Sequence, residues 1–365
     1  MAQNYEIEVQ AQPSIYAPQE RTMRIYFSEP EKGMDQHTGM LLLLAGYGGN
    51  ATSKVFAKMR RQFADDYNLL TVQCDYFGYE YMQSNIPTEI SQEMLEDVLT
   101  DAERELLQLD YDKYEHILKG KIFRQVVELD ETPEHFNDMG LMQAMDNLRA
   151  VKVVMDIAKD NGYEVHPDRV YAYGFSHGAY LAYLCNALWQ EVFTVIIDNS
   201  AYLSPYYIRR PRISTRMEDG LRIDQIISYK ALKYIQDEEI LSLPQLYQQF
   251  ENQAQIISYV GEKDYMTSPE DKKAFLNQVE NAKVEMVTQS RVDKVCFHNT
   301  DHGMGADFVE LFRYTYAKYL ASDMKKKRNK KAALEYRTVE YETSKFRYMV
   351  SWEDGIPVLT RVPKD

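Results

Sequence analysis

Ser176 lies in the run Gly174-Phe175-Ser176-His177-Gly178, a spacing that suits a serine acting as a nucleophile. A serine hydroxyl attacks poorly until a base takes its proton and an acid orients that base. An apolar run, Val170-Tyr171-Ala172-Tyr173, precedes the pentapeptide, and an apolar, small-residue segment, 179–188, follows it. Residues 169–178 therefore read as strand, very tight turn and helix, the nucleophile elbow. Such a turn strains the serine backbone and brings the helix close to the strand, an approach left open by the missing side chains of Gly174 and Gly178. The helix N-terminus then points at the hydroxyl and favours negative charge developing there. Glycine is scarce, 16 of 365 residues, so chance yields this pattern only about 0.04 times.

The other members of a relay are sought downstream, in the order serine, acid, histidine. His302 is the leading base: it follows the last expected strand, is followed by Gly303 and precedes the final helix. His298, in the same loop, is the alternative, whereas His37, His116, His135 and His166 all precede the serine. His177 adjoins the nucleophile, and its backbone N–H is expected to matter more than its ring. Asp264, in Gly261-Glu262-Lys263-Asp264, is the leading acid, with Asp198 at the end of the preceding strand as the rival. An aspartate at such a turn is also a common helix N-cap. The oxyanion hole is expected from the backbone N–H groups of His177 and of Tyr47, in Gly46-Tyr47-Gly48-Gly49-Asn50.

Those residues require elements to hold them. Residues 40–45, 68–74, 193–197 and 255–260 are apolar runs of the kind found in strands buried on both faces, and 22–28 alternates like a half-exposed strand. Residues 283–288 form the last strand of the series. Helical patterns run over 138–160, stopped by Asn161-Gly162, and over 306–322. Strands alternating with helices imply an α/β fold with a mostly parallel sheet, whose ligands bind beyond the strand C-termini. The motifs above sit at those ends.

Segments 84–137 and 202–250 read as helical cap insertions, the second without a buried-strand signal. The main α/β domain is expected over 1–322, with a basic linker over 323–334 and a small antiparallel meander over 335–365. That meander is expected to cover a sheet edge or to form a homodimer contact.

Composition narrows the function classes. A net charge of -14 argues against nucleic-acid binding. Mean hydropathy of -0.51 and the lack of a long apolar stretch point to a soluble protein with no membrane partner. The first residues carry neither a basic nor an apolar leader region. Cys74, Cys185 and Cys296 are odd in number and scattered, which suits a reducing cytoplasm and offers no metal-ligand spacing.

Five pieces carry a resemblance: residues 41–49 (LLLLAGYGG), 74–79 (CDYFGY), 167–179 (PDRVYAYGFSHGA), 260–264 (VGEKD) and 301–305 (DHGMG). In this order, over residues 20–322, the chain resembles α/β-hydrolases of the esterase and serine-peptidase branch, in a bacterial setting. The resemblance implies a Ser176-Asp264-His302 triad with no metal and no organic cofactor. Ala45 departs from the pattern, since many relatives carry histidine before the oxyanion glycine. The expected activity is cleavage of an acyl ester of a small polar molecule, with Tyr202, Tyr206, Arg209 and Arg210 lining its pocket. Acyl transfer would use the same residues. A non-catalytic binding protein on the same fold is the rival of a different class, and the intact serine, acid and histidine argue against it.

Overall fold

The computed structural model describes residues 1–83, 91–109, 114–218, 221–321 and 336–364. Along the chain come β1 (Gln3–Gln10), β2 (Thr22–Glu29), β3 (Gly39–Leu44), α1 (Lys54–Tyr67) and β4 (Leu69–Cys74). The next group is α2 (Gln92–Val98), α3 (Asp101–Leu109), α4 (Tyr114–Leu118), β5 (Ile122–Val127) and α5 (Leu141–Asp160). Then follow β6 (Val170–Phe175), α6 (His177–Leu188), β7 (Val195–Asn199), β8 (Arg212–Glu218) and β9 (Leu221–Ile227). After α7 (Ala231–Ile235) and α8 (Leu243–Leu246) come β10 (Gln255–Gly261), α9 (Pro269–Leu276), β11 (Ala282–Val287) and α10 (Phe308–Thr315). The chain closes with β12 (Val339–Glu342), β13 (Phe346–Glu353) and β14 (Ile356–Pro363).

The strands with no polar face take the middle of an eight-stranded sheet of order β1-β2-β4-β3-β6-β7-β10-β11. From β4 to β11 every neighbouring pair is parallel, and only β1 and β2 run against their neighbours. With helices on both faces, this is the α/β-hydrolase fold. Alternation along each strand divides its side chains between two cores. Leu41 and Leu43 of β3 join Tyr171 and Tyr173 of β6 against Phe56 and Phe63 of α1 and Phe312 of α10. Met40, Leu42 and Leu44 face the other way, with Met145 of α5 and Tyr180 and Leu184 of α6. Burying each such leucine contributes about 2 kcal/mol, which is why four in succession hold the strand central.

Edge elements follow a different logic. Strand β1, which no apolar run announces, pairs with β2 at the sheet edge with most of its side chains exposed. The helical reading of 202–250 is incomplete, because β8 and β9 lie there and join β5 in a second sheet of order β5-β9-β8. Phe123 of β5 and Ile223 of β9 sit opposite each other and pack on Leu99 and Leu118, forming a small separate core. That one apolar face is what the amphipathic pattern of the segment encodes.

The C-terminal strands form an antiparallel sheet of order β12-β13-β14. Its Tyr341, Tyr348, Val350 and Leu359 are buried in the core that contains α5 and α6. The Tyr341 hydroxyl donates to the Ala187 carbonyl (2.5 Å), and Gln12 pairs with both the N–H and C=O of Leu359 (2.9 and 2.7 Å). The basic run expected as a linker lies outside the described residues. Among the described residues no helix is long and apolar enough to cross a membrane.

Candidate active site

Ser176 stands between the end of β6 and the start of α6, at φ 52° and ψ -115°. Positive φ is costly for a residue with a Cβ and persists only where the surroundings enforce it. Here Ser176 N–H donates to the Asn199 carbonyl of β7 (2.8 Å), and its own carbonyl takes the Tyr180 N–H (3.0 Å). A Cβ on Gly174 would stand 2.4 Å from the Gly178 carbonyl, and one on Gly178 only 2.2 Å from the Leu44 carbonyl. Either side chain would push α6 away from the sheet.

His302 Nε2 is 2.8 Å from Ser176 Oγ, and its Nδ1 is 3.0 Å from each oxygen of Asp264. The ionised carboxylate only accepts, so Nδ1 carries the proton and Nε2 is left to accept from the serine. Asp264 is fixed in turn by the N–H groups of Met266 (2.9 Å) and Thr267 (3.2 Å). The turn after His302 is left-handed at Gly303 and Met304, and Gly303 N–H donates to Ser200 Oγ (3.0 Å).

The alternatives lie elsewhere. His298 is exposed, and its carbonyl takes a hydrogen bond from Lys294 Nζ (2.8 Å). Asp198 is wholly buried and fully engaged: Oδ2 meets Lys272 Nζ (2.6 Å), the Tyr183 hydroxyl (2.7 Å) and Ser258 Oγ (2.7 Å), while Oδ1 takes the Ala201 N–H (2.6 Å). Burial pulls the Lys272 ammonium below its usual range, and the adjacent Asp198 opposes that pull.

On the other side of the serine runs the loop after β3. A Cβ on Gly46 would lie 3.4 Å from Ser176 Cβ, which sets Tyr47 beside Ser176. Among the described residues the N–H groups of Tyr47 and His177 have no hydrogen-bond acceptor. The His177 ring, expected to matter less than its backbone, is fully buried and engaged at both nitrogens. Gln143 Nε2 donates to the Phe77 carbonyl (3.1 Å) and Asn137 Oδ1 (2.9 Å), which leaves its Oε1 for His177 Nε2 (2.6 Å). His177 is therefore protonated at Nε2 and accepts at Nδ1 from the Tyr202 hydroxyl. Burial among neutral partners pulls its pKa down to about 3.

Of the expected pocket residues, Tyr202 is buried beneath the site as that partner of His177. Together with Tyr206, Arg209, Arg210, Met266 and Thr267 it borders a cavity of about 570 Å³ beside the Asp264 loop. Arg209 pairs with Glu238, and the Arg210 guanidinium lies 4.7 Å over the Tyr206 ring. Tyr265, 72% exposed, stands 6.0 Å from the His302 ring. No spacing in the sequence singles out Asn137, Gln143 or Lys272. Among the described residues no group of three or more His, Cys, Asp or Glu is arranged to hold a metal.

A family model described as "Protein of unknown function (DUF2920)" matches residues 5–209. Among curated proteins no sequence matches the chain. Similar solved structures include the Est1E protein of Butyrivibrio proteoclasticus with ferulic acid bound, at 13% identity and TM-score 0.46, covering 84% of this chain and 96% of that one. A dienelactone hydrolase of Anabaena variabilis is similar at 13% identity and TM-score 0.42, covering 88% and 96%. Acetyl xylan esterase 1 of a Thermoanaerobacterium species is similar at 14% identity and TM-score 0.43, covering 86% and 87%.

Proposed function

The chain belongs to the DUF2920 family, and from that premise we propose that it is a serine hydrolase that cleaves an acyl ester of a small polar molecule. The observation that carries the reading is the hydrogen-bonded chain from Ser176 Oγ through His302 to Asp264, mounted on a strained elbow. Ser176 Oγ attacks the acyl carbon as His302 Nε2 takes its proton, and Asp264 stabilises the resulting imidazolium. The oxyanion accepts from the N–H groups of Tyr47 and His177; loss of one such donor costs about 3 kcal/mol. Collapse of the adduct expels the alcohol, protonated by His302, and leaves an acyl-Ser176 ester. Water, deprotonated by the same histidine, then releases the acid and restores the serine.

A fluorophosphonate tests this directly, because it reacts with activated serines. The purified protein is expected to gain a single adduct by intact mass, and Ser176→Ala to gain none. A native chain without an adduct, or an adduct that persists in the variant, would overturn the reading.

A further inference from the structure

We propose that the two insertions together set the position of the Tyr47 N–H, acting through Arg212 at the start of β8 and Asn137 at the end of the first insertion as positioning residues. The inference rests on the serine-hydrolase reading above and concerns how the oxyanion side of that site is held.

The loop of residues 46–50 supplies little of its own support. Its internal backbone bond runs from Gly49 N–H to the Gly46 carbonyl (3.1 Å), and Asn50 accepts from the nearby Ser53 N–H (3.3 Å) and Thr52 hydroxyl (2.9 Å). Its other bonds reach to residues 82, 83 and 137. Gly48 N–H donates to the Met82 carbonyl (2.9 Å), and Asn50 Nδ2 donates to Gln83 Oε1 (3.1 Å). Arg212, buried at the start of β8, donates from Nη1 to the same Met82 carbonyl (2.7 Å). Its guanidinium also lies 5.1 Å over the Tyr47 ring. One arginine thus touches both the side chain that leads the loop and the carbonyl that anchors it. Tyr207 and Tyr229 complete an aromatic wall, with ring centroids 4.9 and 5.9 Å from that of Tyr47.

The hydroxyl end of Tyr47 is held from the first insertion, which Glu131 ties to the chain just after β9. Asn137 Nδ2 donates to it (3.2 Å). Asn137 N–H donates to one oxygen of Glu131 (2.9 Å), whose other oxygen takes the N–H of Lys230, just beyond β9 (2.7 Å). The ring face and the hydroxyl of Tyr47 are both fixed, so the backbone N–H at its other end has little freedom. An oxyanion donor must stand about 2.7–3.1 Å from the oxyanion, so a loosened loop loses rate without losing substrate affinity.

The test compares Arg212→Met, which keeps the bulk and drops the donors, with Arg212→Lys, which keeps a cation and a donor. Tyr47→Phe removes only the tie to Asn137, and stands in if Arg212→Met fails to fold. Readouts are the fluorophosphonate labelling rate at Ser176, kcat and KM for p-nitrophenyl acetate, and amide exchange of residues 46–50. Arg212→Met is expected to label about 10-fold more slowly or worse and to lose kcat alike, with KM within about 2-fold and faster exchange in the loop. Arg212→Lys should recover most of the rate, and Tyr47→Phe should lose about 3-fold, with the adduct still on Ser176. Native labelling with both Arg212→Met and Tyr47→Phe unimpaired would overturn this inference alone, as would slowed labelling with unchanged loop exchange. A native chain that takes no adduct would overturn the hydrolase reading, and this inference with it.

Discussion

His302 and His177 flank the same serine in opposite electrostatic surroundings. His302 has a carboxylate at Nδ1, so charge arriving on its ring is compensated where it forms. Replacing Asp264 by asparagine would offer an amide N–H to Nδ1, shift the ring proton to Nε2 and remove the acceptor for the serine. We expect Asp264→Asn to lower kcat for p-nitrophenyl acetate about 10³- to 10⁴-fold with an unchanged unfolding midpoint. A loss under about 10-fold would mean that another group orients His302. His177 has no such compensation, and its neutrality is built into the fold. Its pKa falls from 6.5 to about 3 on folding, so between those values the unfolded chain binds the extra proton. Stability contributed by this group is therefore complete above pH 6.5 and lost as pH falls towards 3. At pH 5 the loss is about 2 kcal/mol, at 1.36 kcal/mol per unit. Gln at this position keeps a donor and an acceptor but cannot titrate. In urea unfolding the native chain should lose about 2 kcal/mol more than His177→Gln between pH 7 and pH 5; equal losses would exclude a buried neutral imidazole.

Between residue and sheet lies the arrangement of loops that Asp198 and Lys272 support. Their pair is sealed under the turn after β7, and Lys272 Nζ also donates to the Ala201 carbonyl (2.7 Å). Ser200, in that turn, holds Gly303 and hence the backbone beside His302. Asp198→Asn would leave a buried ammonium without its counter-charge, a loss of about 3–5 kcal/mol, whereas adding Lys272→Met should restore part of it. Urea midpoints would show both effects, and an unshifted midpoint in Asp198→Asn would refute the buried pair. The two aspartates illustrate how far sequence patterns reach. Both lie at the C-terminal end of a strand, Asp198 within β7 and Asp264 in the turn after β10, so the sequence hardly separates them, and the difference lies in what α9 brings to Asp198. Ser176 and the Gly46 loop were legible because each lies directly after an apolar run that a parallel sheet buries, and His302 because it falls between the last strand of the series and the final helix. Strand β1 and the β8-β9 hairpin were not, because an edge strand shows no continuous apolar run and a small one-faced sheet looks amphipathic. Arg212 and Asn137 meet Tyr47 only through tertiary contacts between segments far apart in the chain, which leave no local periodicity.

The C-terminal sheet enters at the scale of the whole molecule, since it ties together segments far apart in the chain. Asp237, beyond α7, accepts from both Thr343 (2.7 Å) and Tyr348 (2.9 Å), while Leu359 is paired with Gln12 near the opposite terminus. Its outward side is charged, with Arg347 bridging Glu340 and Glu342. Its inward side shares a core with α5 and α6, so the meander and the main α/β core should unfold in a single transition rather than two. The protein's two tryptophans offer a probe, because Trp189 follows α6, Trp352 lies in β13, and their rings meet at 4.8 Å across the contact. Tyr348→Ala removes a fully buried side chain and leaves Asp237 short of a donor, a loss of about 3–5 kcal/mol. If the units are one, the variant's tryptophan fluorescence and far-ultraviolet circular dichroism should shift to lower urea by the same amount and remain superimposable. Were the meander a separate domain, fluorescence would move alone while the circular dichroism of the core stayed in place, and the shared core would be refuted.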